Sequence, residues 1–215
     1  MALVAFDFDG TLTQSDLVML LGREYDVAGE IRGLAEQGYR GEEDFATTLR
    51  QRVSLLEGMP EARVRDAFDR CKLRSGAADM LADLRQEDVS VAIITGTFER
   101  GVEAALERAG VTVDHVIANQ LVLENGAVTG EVDGPLLDRG KDHALEELAI
   151  AEELALGQTV AVGNGATDLS MLQVAGTAIG FNPDTLIESN CDAVVTSIRK
   201  LKLYFEQHDF TDSGG

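Results

Sequence analysis

The chain alternates short apolar runs with stretches of helical spacing. Five runs stand out, at residues 3–6, 89–94, 159–162, 177–179 and 193–195. Each is continuously apolar, and each leads into a polar or glycine-rich turn and then a helical pattern. Strands read this way when helices cover both faces of a parallel sheet, because neither face needs polar side chains. The pattern therefore predicts an α/β protein with a doubly wound parallel-sheet core. Residues 15–73 differ, carrying helical spacing and no strand candidate. They interrupt the alternation after the first strand, so they are read as a small inserted α-helical cap. The expected domains are a core at 1–14 and 74–215 and a cap at 15–73. Between residues 110 and 141 the texture changes again. Leu121-Val122-Leu123-Glu124, Asn125-Gly126 and Ala127-Val128 predict a hairpin, since Asn-Gly tolerates the positive φ of a tight turn.

Charge narrows the function. The 215 residues hold 38 acidic and 18 basic side chains, a net charge of -20. Such a surface offers phosphate backbones no broad attraction, so nucleic-acid binding is not expected. No polybasic anchor is present, and the uncharged apolar run at 89–98 is far below the roughly 20 residues that cross a bilayer. The N-terminal residues lack a charged region and a small-residue cleavage site, so no secretory signal is expected. Hydrophobic residues make up 45%, enough to build a core rather than a disordered chain. Cys71 and Cys191 stand far apart in no metal-ligand spacing and read as buried free thiols of a reducing cytoplasm. Four lysines against fourteen arginines, beside so many carboxylates, suggest a protein adapted to concentrated salt, which screens self-repulsion. Nothing in the composition sets an oligomeric state.

Ligands of open parallel sheets bind beyond the carboxyl ends of the strands. Asp7-Phe8-Asp9-Gly10-Thr11 follows the first run, Thr95-Gly96-Thr97 the second, and Gly163-Asn164-Gly165-Ala166-Thr167-Asp168 the third. Lys141 opens the helix before that third strand. A cation in a first helical turn opposes the helix dipole, so its position asks for another reason. Carboxylates around a hard cation, with hydroxyl, amide and ammonium donors, are the parts that hold a phosphoryl group. Asp7 and Asp9, two residues apart in a strand, would point the same way. Asp7 would attack phosphorus to give an aspartyl phosphate, and Asp9 would protonate the leaving oxygen and then activate water. Crowding by Asp7 and Asp168 would keep Asp9 protonated. A magnesium ion would offset the repulsion between carboxylate and phosphate. In the cap, Phe45, Leu49, Val53 and Leu56 fall on one face at about 3.6 residues per turn. Arg52 shares this apolar face and needs a partner there, whereas Arg50 points away.

In motif order and spacing the sequence resembles the haloacid dehalogenase superfamily of phosphohydrolases. The family's Asp-x-Asp-x-Thr motif falls on Asp7, Asp9 and Thr11, its phosphate-binding Ser/Thr motif on Thr95 and Gly96, its lysine on Lys141, and its metal loop on Gly163 to Asp168. The resemblance implies a Rossmann-like core of the haloacid dehalogenase type. It also implies Mg2+ held by Asp7, Asp9, Asn164 and Asp168, catalysis by Asp7, Asp9 and Lys141, and phosphate contacts from Thr95, Gly96 and Thr167. The cap stretch from Phe45 to Leu56 is similar to that of phosphatases acting on O-phospho-L-serine. There Arg52 would grip the substrate carboxylate beside Phe45, and Asp16 would receive its amino group. The implied reaction is hydrolysis of phosphoserine to serine, the last step of serine biosynthesis, in the cytoplasm. The partner is a small phosphorylated metabolite, with no nucleic acid and no membrane. Four positions depart from the pattern: Asp16 replaces a glutamate, Tyr39 an apolar residue, Thr97 a glycine, and Asn164 a metal-binding aspartate. The alternatives are a phosphatase of glycerol phosphate or phosphoglycolate, a non-catalytic member, and a phospho-accepting signalling domain. Cap movement is expected at joints near Gln14-Ser15 and Arg74-Ser75-Gly76.

Overall fold

The computed structural model describes residues 2–39 and 43–208. Seven strands form one sheet in the order β4-β3-β2-β1-β5-β6-β7. They are β1 (Ala2–Phe6), β2 (Val89–Phe98), β3 (His115–Glu124), β4 (Ala127–Asp133), β5 (Thr159–Gly163), β6 (Thr177–Phe181) and β7 (Ala193–Val195). Only β3 and β4 pair antiparallel, through the expected hairpin at Asn125-Gly126, where φ is 50° and 80°. β1 lies centrally, parallel to β2 on one side and β5 on the other. The chain thus leaves β1 in both directions, and the topological switch point falls at its carboxyl end.

Four helices follow β1: α1 (Leu17–Glu24), α2 (Ala28–Tyr39), α3 (Phe45–Ser54) and α4 (Glu61–Phe68). The core then adds α5 (Ala77–Gln86), α6 (Glu99–Ala109), α7 (Lys141–Ala151), α8 (Leu169–Val174), α9 (Thr185–Glu188) and α10 (Ile198–Gln207). Along the strands, side chains alternate between two apolar clusters, as a period of two requires. Val4, Phe6, Val91, Ile93, Val160 and Val162 face one cluster with residues of α5, α6 and α10. Leu3, Ala5, Ala92, Ile94 and Ala161 face the other, with residues of α7 and α8. The first cluster continues without a break into the insertion through Phe8, Leu12, Leu17 and Leu21.

α3 starts because the Asp44 carboxylate caps it, accepting from Thr47 N at 2.9 Å and from Thr47 Oγ1 at 2.7 Å. Leu49, Val53 and Leu56 on its expected inner face are fully buried. Each contributes about 1.5–3 kcal/mol by leaving water. Arg50 points outward, as expected, and meets Asp138 at 3.4 Å.

Three expectations change. β1 ends at Phe6, so Asp7 and Asp9 stand in the loop beyond it rather than in a strand. β2 runs on through Thr95-Gly96-Thr97, and α6 begins only at Glu99. Its pairing with β3 shifts register between Thr95 and Phe98, and the Asn119 side chain donates to Gly96 O at 2.9 Å. Cys191 is only partly buried, whereas Cys71 is buried as expected.

The expected joints, finally, are hydrogen-bonded. Thr13 bridges to Leu73, Thr13 Oγ1 donates to Lys72 O at 2.8 Å, and Arg74 N donates to Leu12 O at 2.8 Å. The hairpin also reaches the insertion, with Gly58 N donating to Val128 O, Val128 N to Met59 O and Glu61 N to Gly126 O, at 2.8–2.9 Å. Tyr39 ends α2, and its side chain lies outside the described residues.

Candidate active site

The loops after β1 and β5 and the start of α7 meet at the switch point. Asp7 extends the pairing of β1 by one bond, its N–H donating to Val162 O at 2.8 Å. This fixes its carboxylate beside the β5 loop. Lys141 opens α7 behind a Gly140 cap that makes no side-chain bond. Its ammonium donates to Asp7 Oδ1 and to Asp168 Oδ1, both at 2.6 Å. All three side chains are buried. A buried charge is tolerated only where it is paired and hydrogen-bonded, and here one cation joins two anions. Asp168 is fully committed, because its Oδ2 accepts from Asn164 N at 2.8 Å and Gly165 N at 3.0 Å. Gly163 permits that turn, since a Cβ there would meet Asp168 Cβ at 2.5 Å.

Burial raises the Asp7 pKa to about 6, with Asp168 adding to the rise and Lys141 opposing it. Burial opposes the charge of Lys141, but Asp168 and Asp7 outweigh it and lift its pKa above the ordinary lysine value. Asp9 is held well above the carboxylate range, first by burial and then by Asp16, with a smaller push from Asp7. The expected crowding of Asp9 by a carboxylate thus comes first from Asp16 and, to a smaller extent, from Asp7 as expected. Asp9 Oδ2 accepts from Leu17 N at 3.1 Å, whereas its buried Oδ1 has no partner. Asp16 caps α1, accepting from Met19 N at 2.9 Å.

Asn164 packs against Gly10, where φ is 87° and a Cβ would stand 2.6 Å from the amide nitrogen. Two orientations of the carboxamide have the same shape. With nitrogen inward, it donates to Asp9 O and Asp7 Oδ2 at 3.1 Å and to Thr11 Oγ1 at 3.0 Å. With oxygen inward, it accepts from Thr11 Oγ1 at 3.0 Å. The three acceptors favour nitrogen inward. A donor surrounded by oxygens occupies the place that suits a cation. Turned the other way, Asn164 Oδ1 joins Asp7 Oδ2 and Asp9 O as a set of hard oxygens, which fits magnesium. Among the described residues, no three His, Cys, Asp or Glu side chains cluster as a metal site.

Thr95 is buried at the end of the apolar part of β2, with its Oγ1 3.1 Å from Thr97 Oγ1. Gly96 lets α3 approach, because a Cβ there would meet Phe45 Cζ at 2.4 Å. Phe45, Gly96, Lys141 and Thr167 line one cleft of about 300 Å³ between α3 and the core. Arg52 is buried on α3, and its Nε donates to Thr48 O at 3.2 Å. One supporting residue escaped the sequence reading, and a second was read there only as part of a joint. Asn119 is fully buried and joins Gly96 O to Leu136 N. A polar amide in the middle of β3 was its only signal. Arg74 donates to Gly10 O and Thr11 O, a long-range contact with no local signal.

Fold and site together define a doubly wound α/β protein with an acidic, lysine-bridged centre at its switch point. The haloacid dehalogenase-like hydrolase family matches residues 4–173. The chain is 41% identical over 208 residues to a phosphoserine phosphatase of Halobacterium salinarum, covering 97% of this chain and 99% of that one. It is 34% identical to a phosphoserine phosphatase of Methanocaldococcus jannaschii, covering 90% and 91%. A solved complex of phosphoserine phosphatase with bound substrate superposes with a TM-score of 0.87 at 32% identity, covering 94% of this chain and 97% of that one. This chain belongs to the haloacid dehalogenase-like hydrolases.

Proposed function

We propose that the protein hydrolyses small phosphomonoesters, O-phospho-L-serine foremost, through a covalent intermediate on Asp7. One observation carries the reading. Asp7 is a buried carboxylate at the carboxyl end of the central strand, with one oxygen held by Lys141 and the other by Thr11 at 3.1 Å. A carboxylate so oriented is a nucleophile held ready for attack.

An Asp7 oxygen attacks phosphorus, and the ester P–O bond breaks. Asp9, kept neutral by burial, gives its proton to the departing serine oxygen. The resulting Asp9 carboxylate then takes a proton from water, whose oxygen attacks phosphorus. The Asp7–phosphorus bond breaks, phosphate leaves, and both carboxyl groups return to their starting state. Lys141 holds Asp7 and balances charge as phosphoryl oxygens approach. Thr95 Oγ1 and the Gly96 backbone would donate to those oxygens, and Gly96 and Thr167 line one cleft. Asp7, Asp9 O and Asn164 would hold a magnesium ion, which supplies positive charge against the phosphoryl group. Asp168 orients the loop and Lys141 instead of ligating, a change from the set expected of the sequence.

The insertion at 15–73 serves as the cap in this reading. It brings Phe45 over Gly96 and carries Arg52, whose guanidinium fork suits a substrate carboxylate. Support for phosphoserine comes from the relatives named above, which match 90–97% of this chain. The test is a panel of small phosphomonoesters assayed with magnesium. Phosphate release from phosphoserine, faster than from glycerol phosphate or phosphoglycolate, is the expected result. Asp7→Asn abolishes it. Turnover of every ester except phosphoserine would sink the substrate assignment, and an active Asp7→Asn enzyme would sink the nucleophile.

A further inference from the structure

Arg74 stands outside every motif, at the point where the chain returns from the insertion to the core. Its guanidinium donates to two successive backbone carbonyls of the Asp7–Thr11 loop, from Nη2 to Gly10 O at 2.8 Å and from Nε to Thr11 O at 2.9 Å. The cation also lies over the Phe181 ring, 5.0 Å from its centre. Its own N–H donates to Leu12 O at 2.8 Å. In a chain with 38 acidic side chains, this guanidinium forms no salt bridge with any carboxylate of the described residues. It is committed to the loop instead.

The two carbonyls belong to the peptide planes on either side of Thr11. Peptides are planar, so fixing both planes fixes the backbone of Thr11 and the direction of its side chain. That side chain donates to Asp7 Oδ2 at 3.1 Å and reaches Asn164 at 3.0 Å. The first plane also begins at Gly10, next to Asp9 O, one of the oxygens around the Asn164 amide. Gly10 has φ of 87° and no side chain to resist rotation, so the loop lacks stiffness of its own there. Thr11 N and Thr13 N also tie the loop, both donating to Phe8 O, at 3.2 and 3.1 Å.

We infer that Arg74 is a positioning residue: it holds the Gly10-Thr11 backbone so that Thr11 and Asp9 O face Asp7, and it links the return leg of the insertion to that geometry. The inference rests on the proposed phosphatase reaction for its kinetic consequence but not for its structural one. A shift of the return leg at Leu73-Arg74 is then transmitted directly to the reacting loop. Misplacing a reacting group by about 1 Å costs roughly 100-fold in rate.

The test compares Arg74→Met, which keeps bulk and loses the donors, with Arg74→Lys, which keeps charge and donors. For phosphoserine, Arg74→Met lowers kcat about 100-fold while KM stays within about threefold. Arg74→Lys recovers kcat to within about tenfold of the native enzyme. In the same proteins without substrate, amide exchange at Gly10 to Thr13 accelerates at least about tenfold in Arg74→Met, while α2 and α10 keep their native rates. Native exchange in the loop, or a kcat loss no larger than the unfolded fraction seen by circular dichroism, overturns the inference. So does a rise in KM at constant kcat. If the native protein releases no phosphate from any ester, the phosphatase reading falls and the exchange measurement alone decides the role of Arg74. If Arg74→Met does not fold, Arg74→Gln carries the same measurements, since its amide is too short to reach both carbonyls.

Discussion

The position that most alters the chemistry is Asn164. A carboxylate there would add a third anion beside Asp7 and Asp168, which already share the one ammonium of Lys141. The amide removes that charge and lets its nitrogen satisfy three oxygens instead. Binding magnesium then requires the carboxamide to turn and give up those bonds. Asn164→Asp therefore separates two effects. It destabilises the metal-free protein by about 3 kcal/mol, because a half-buried carboxylate there faces other oxygens with no donor between them. It also tightens magnesium binding by at least about tenfold, because the new ligand is charged. Thermal melts in chelator and a calorimetric magnesium titration read the two separately. An unchanged magnesium affinity would remove Asn164 from the metal shell. Asp7, Asp9, Thr11, Thr95 and Lys141 were legible in the sequence, since each follows an apolar run or opens a helical stretch. The division of labour among the carboxylates was not. Asp168 shares Lys141 with Asp7, and that depends on contacts across the fold.

At the level of elements, the hairpin joins insertion and core. Its turn works through local geometry, as Asn125-Gly126 promised. A Cβ on Gly126 would meet nothing within 4 Å, so its substitution is opposed by backbone conformation alone. Gly126→Val is expected to cost about 1–2 kcal/mol, the strain of a branched residue at positive φ. A denaturant titration measures it, and a loss below about 0.5 kcal/mol would mean that the turn relaxes to another type. Because three backbone bonds tie the hairpin to residues 58–61, the same variant also speeds amide exchange at Gly58 and Glu61. Unchanged exchange there would show that the α3–α4 connection holds its shape without the hairpin. The alternating runs and the Asn-Gly pair predicted both strands of the hairpin. They carried no information on where it lands, because the pairing of Gly58 with Val128 is backbone to backbone and leaves no side-chain trace.

Across the whole molecule, charge and fold pull against each other. Eighteen basic side chains face 38 acidic ones, and several of the cations are engaged singly, such as Arg85 with Asp114 and Arg108 with Asp69. The unbalanced remainder repels itself and repels an anionic substrate. Raising potassium chloride from about 0.1 M to about 2 M shortens the screening length several-fold. The melting temperature should rise by at least about 5 °C over that range. A flat or falling melting temperature would remove salt adaptation as the reason for the composition. By itself, the sequence determined the sheet, the inserted helices, the tight turn and the residue types at the strand ends. These follow from local periodicity and from which side chains tolerate which backbone. Only the tertiary structure decided which carboxylates meet Lys141, what the Asn164 amide faces, and why Arg74 sits behind the Gly10-Thr11 loop. Those contacts join residues up to 153 positions apart. Their distances are set by how helices and sheet pack around one core, and local sequence does not encode that packing.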